Sequence, residues 1–97
     1  MTSKRRIKKE IDYLVSDMIY DCFTFTGLYP QSDNDEVMKL VQKTLTLRNE
    51  LRNKANHPEQ KEDSVTVKAH YDNLADTLVK SLDESYEKLG EMVGKAS

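Results

Sequence analysis

The reading turns on "IKKEIDYLVSDMIYDC", Ile7 to Cys22, where Ile7, Ile11, Leu14, Val15, Met18, Ile19 and Cys22 recur at intervals of three and four residues. That spacing stacks every apolar side chain on one side of a rod, the signature of an amphipathic α-helix. Phe25 extends the same face and Phe23 borders it. The helix is expected to end in "TGLYPQS", with Gly27 as a left-handed cap and Pro30 barring continuation.

Working outward, "SDNDEV" reads as a second helix start. Asp33 with Glu36, or Ser32 with Asp35, can cap the free amides, and acids suit the positive end of the helix dipole. Val37, Leu40, Val41, Thr44, Leu45, Leu47, Leu51 and Ala55 then form a broad apolar face that "NHPEQKED" terminates at Pro58. A third helix starts near Asp63 or Ser64. It keeps Val67, Tyr71, Leu74, Ala75, Leu78, Leu82, Ser85, Tyr86, Leu89, Met92 and Val93 on one side. The strand-forming "VTV" at its start is too short to compete.

These segments predict an all-α protein: one domain over residues 1–97, with long helices at roughly 4–28, 33–56 and 64–94. Short connections fold successive helices back on each other, so an up-down-up three-helix bundle follows, with the third helix parallel to the first. Three glycines and two prolines leave little turn material for a many-stranded sheet. A chain of 97 residues buries roughly 60–65% of its unfolded surface, enough for one core.

Composition narrows function by exclusion. The net charge is −2, which gives no bulk warrant for a nucleic-acid or membrane binder. The single cysteine, Cys22, excludes an internal disulfide and a cysteine-rich zinc site; lying on the apolar face, it is expected to pack as a small hydrophobe. No apolar run approaches a membrane span, and the opening residues lack the long apolar region of a secretory signal, so a cytoplasmic location is expected.

The polar residues offer no catalytic set. His57 falls in a loop and His70 at the edge of the third core face, both at the basic end and without metal-ligand spacing. Asp17, Asp21, Asp33 and Asp35 lack the glycine and terminal glutamate of a calcium loop and are best read as capping and solvation. Gly90 and Gly94 are expected to cap and fray the last helix. No enzyme activity, cofactor or metal is expected.

Charge and exposure are more informative. Antiparallel folding would collect ten of the fifteen basic residues at one end against seven acids, and leave five against nine at the other. "KRRIKKE" is the densest part of the basic end. It is read first as a solvated helix turn, second as part of a phosphate-binding set: Lys4, Arg5, Arg6, Lys8, Lys9, Arg48, Arg52 and Lys54. Arg48 interrupts the second apolar face and must snorkel, lie at an interface, or pair with an acid such as Asp12, Asp72 or Asp76.

Tyr13 and Tyr20, seven residues apart, point away from the Ile7–Leu14–Met18 face, with Lys9 and Ser16 on the same stripe. They are either isolated surface tyrosines or a docking strip, because tyrosine offers contact area at low entropic cost. The expected function is therefore a non-enzymatic helical-bundle module for protein–protein interaction or self-association through Lys9, Tyr13 and Tyr20, as a dimer or larger homo-oligomer or with a protein partner. The alternative is a small nucleic-acid-associated protein.

Overall fold

In the computed structural model, residues 4–31, 34–56 and 64–96 are described. They form three α-helices, α1 (Lys4–Leu28), α2 (Asn34–Asn56) and α3 (Ser64–Ala96). Among the described residues there is no strand. All three helices touch one another, with α1 and α2 the closest pair. The bundle is a long rod, 53 × 17 × 16 Å. At 1.5 Å per residue, the 33 residues of α3 alone account for about 50 Å, so α3 runs the full length.

Cross-helix contacts fix the directions. Lys8, near the start of α1, donates through Nζ to Oδ1 of Asn56, the last residue of α2, at 2.9 Å. His70, early in α3, donates through Nε2 to the backbone oxygen of Lys54 at 2.8 Å. Tyr86, late in α3, is held by Asp21, late in α1. Up, down and up again is the only order these contacts allow. The His70 contact also has a local role. The last carbonyls of a helix lack intrahelical donors, and an imidazole from the next helix supplies one at the end of α2.

One core runs the length of the rod. Ile7, Ile11, Val15, Met18, Cys22 and Phe25 of α1 meet Val37, Leu40, Val41, Leu51 and Ala55 of α2. They also meet Tyr71, Leu74, Leu78, Leu82, Leu89 and Met92 of α3. Tyr71, Leu78, Ser85 and Met92 are buried at strict seven-residue steps, the repeat by which long helices pack side by side. Among the described residues, Thr44 and Ser85 are buried polar side chains within this core. Thr44 satisfies its hydroxyl by donating to the Leu40 carbonyl at 2.7 Å.

Several local expectations change. Gly27 does not adopt a left-handed conformation. Instead α1 runs to Leu28, the Tyr29 amide donates to the Phe25 carbonyl at 2.9 Å, and the two rings pack at 5.1 Å. That aromatic clasp closes the helix where a glycine cap was expected. Gly90 and Gly94 lie inside α3, which continues to Ala96, so neither caps it. Leu45, Tyr86 and Val93, expected on core faces, are substantially exposed on the shoulders of their helices, and Phe23 lies outside the core. The caps at Ser32 and Asp33, the loop residues His57 and Lys61, and the acids Glu59, Glu62 and Asp63 fall outside the described residues.

Candidate functional site

The two flanks of α1 are identified by what they touch. Asp12 meets Arg48 and Arg52, so its side of α1 faces α2. Asp21 meets Tyr86, so the opposite side faces α3. Successive helical residues turn by about 100°. Lys8, Asp12 and Ile19 therefore belong to the α2 flank, Glu10, Asp17 and Asp21 to the α3 flank, and Phe23 to the border between the α2 flank and the outer face. Lys9, Tyr13, Ser16 and Tyr20 point outward between them.

That outward strip carries aromatic surface. Tyr13 is 69% exposed, Tyr20 71% and Phe23 52%. From Lys9 to Phe23 it extends over 15 residues, about 21 Å of helix from first to last. Phe23 was not legible as part of it, because a border residue can turn either way.

The predicted basic set divides between two surroundings. Lys4, Arg5, Lys8, Lys9 and Arg52 surround a concavity of about 440 Å³ between α1 and α2, with Asp12 in its wall. Arg48 bonds through Nε to Asp12 Oδ1 at 3.1 Å, while Arg52 takes Asp12 Oδ2 through Nη1. Arg48 thus pairs with the first of its three candidate acids. One carboxylate answers two guanidiniums, so Asp12 leaves the cleft positive. The hydrogen bond of Lys8 goes to the neutral Asn56. Arg6 lies apart, 3.7 Å from Glu10 on an exposed turn, and Lys54 is exposed at the end of α2.

The α3 flank is the opposite in sign. Val79, Tyr86 and Val93, again seven residues apart, are 50%, 37% and 37% exposed along the edge of α3 that faces α1. Asp83 and Glu87 accompany them on α3, and Asp17 and Asp21 on α1. Burial, then the charges and hydrogen bonding of Asp21, then Asp17, push the Tyr86 hydroxyl up to about 12. Cys22 is buried among apolar neighbours, and burial, followed by Asp21, raises its thiol above the ordinary range. A thiol held protonated is a poor nucleophile.

Among the described residues, no group of three or more His, Cys, Asp and Glu side chains could hold a metal ion, and no helix is long and apolar enough to cross a membrane. A second groove, between α2 and α3, is lined by Thr44, Leu47, Ser81 and Ser85 with Lys43 and Glu50 at its rim. It brings together hydroxyls without a base or a charged anchor at its floor. No protein-family model, curated protein or solved structure matches the chain.

Proposed function

We propose that this protein is a non-enzymatic interaction module whose docking face is the outer side of α1: Lys9, Tyr13 and Tyr20, joined by Phe23. The observation that carries this is the exposure of three aromatic rings on one 21 Å strip of a helix whose other faces are engaged by α2 and α3. Apolar rings left in water cost free energy that docking recovers, at roughly 25 cal/mol per Å² buried, and two-torsion aromatics lose little entropy when they settle. A lone buried thiol suits a reducing cytoplasmic setting.

The test is light scattering of the purified chain, combined with affinity capture by the immobilised chain from its native extract. Tyr13→Ser/Tyr20→Ser is expected to abolish association while leaving helicity and melting temperature in place. A double variant that associates and captures as the wild type does would defeat the reading.

A second reading, phosphate binding, is favoured by the cleft of Lys4, Arg5, Lys8, Lys9 and Arg52. Contacts of this kind weaken steeply with added salt as counterions are released. A mobility shift of a duplex oligonucleotide at low salt, lost on Arg5→Gln/Lys9→Gln, would support it; no shift at low salt would remove it.

A further inference from the structure

Resting on the interaction-module reading, we infer that the outer face of α1 takes the acidic edge of α3 from a second copy of this chain. The two surfaces match in length, spacing and charge. The α1 strip, Lys9 to Phe23, and the α3 edge, Val79 to Val93, each cover 15 residues, about 21 Å from first to last. Both repeat their large side chains every seven residues, as Tyr13 and Tyr20 on one and Val79, Tyr86 and Val93 on the other. With the two helices parallel, the register that sets Tyr86 against Tyr13 also sets Val93 against Tyr20. That same register brings Asp83 to Lys9 at the cleft where Asp12 is already shared by two arginines. Neither the strip nor the edge is complementary to itself, since one is basic and the other acidic. The contact is therefore heterologous, and each pair of copies keeps one free strip and one free edge.

Mixing two crippled chains tests this. Lys9→Gln/Tyr13→Ser/Tyr20→Ser disables the strip, and Asp83→Asn/Glu87→Gln/Val93→Ser disables the edge; all six residues are exposed, and circular dichroism verifies that both variants fold. At low ionic strength the wild type is expected to show a mass that keeps rising with concentration and falls to the 11.2 kDa monomer as salt is added. Each variant alone is expected to be monomeric. Their equimolar mixture is expected to form a dimer and nothing larger, because only one intact strip and one intact edge remain per pair.

A mixture that stays monomeric overturns the inference. So does an edge variant that still dimerises, which would assign the strip to a symmetric α1–α1 contact. A wild type that is monomeric at every concentration also overturns it. If in that case Tyr13→Ser/Tyr20→Ser abolishes capture of a foreign protein, the interaction-module reading survives. If instead Arg5→Gln/Lys9→Gln abolishes oligonucleotide binding, the phosphate reading replaces it.

Discussion

The two shoulders of α1 share a backbone and carry opposite chemistry. Toward α2, Lys4, Arg5, Lys8, Lys9 and Arg52 surround a cleft with Asp12 as its acid. Toward α3, burial and then Asp21 and Asp17 make the Tyr86 hydroxyl resist ionisation. The difference follows from topology. Folding α2 back against α1 sets the late arginines of α2 beside the early lysines of α1, whereas the parallel α3 aligns acids late in both helices. A small net charge thus conceals a strongly divided surface, and composition alone is a poor guide to what such a protein attracts.

Breaking the core should erase both shoulders together, and that is the largest effect expected. Leu78 is almost wholly buried at the centre of the rod, so Leu78→Ala should cost about 2–5 kcal/mol in denaturant unfolding. The basic cleft should persist no longer than the acidic edge. A loss under about 1 kcal/mol would show that α3 is not held at its centre as described.

Next in size is Asp12, which separates the shoulders electrostatically. Asp12→Ala should destabilise by about 1 kcal/mol, since the pairs are half-exposed and solvent screens them. It should also concentrate positive charge in the cleft, tightening whatever anion or acidic surface binds there, as titration at low salt would show. Weaker binding would mean that the carboxylate itself contacts the partner.

The acidic shoulder has a pH signature. The folded state holds the Tyr86 proton more tightly than the unfolded chain does, so this contribution to stability is complete below the ordinary tyrosine range. It is lost as pH rises from that range through about 12. Absorbance titration should show a late-ionising tyrosine signal that is missing in Tyr86→Phe. A late-ionising signal that survives unchanged in Tyr86→Phe would contradict the placing of Tyr86 beside Asp21.

The smallest effect is expected at His70, whose bond to the Lys54 carbonyl closes the end of α2. His70→Ala should raise amide exchange in the last turn of α2 and the first turns of α3, costing about 0.5–1.5 kcal/mol. Protection at the Phe25–Tyr29 clasp, at the other end of the rod, should not change.

Why the inner surfaces were legible and the outer ones were not is clear from particular residues. Ile7, Ile11, Val15, Met18 and Cys22 fall at helical intervals, and burial selects by that rule alone, so sequence spacing predicts them. Arg48 announced itself as a charge within an apolar arc, although three acids were in reach by sequence and only the pairing of α1 with α2 selects Asp12. Shoulder positions obey no such rule. Phe23, Leu45, Tyr86 and Val93 lie at the margins of their apolar arcs, where the angle at which a neighbour crosses decides between core and solvent. Gly27 misled for a different reason: the ring of Tyr29 on Phe25 ends α1 without a left-handed residue.

The most direct test of the docking account is zero-length carbodiimide coupling of an equimolar mixture of isotopically heavy and light chains, read by mass spectrometry. A heavy–light peptide joining Lys9 to Asp83 or Glu87 is the predicted product, suppressed by salt. Mixed-isotope coupling confined to other residues, or Lys9 coupled only within its own chain, would contradict it.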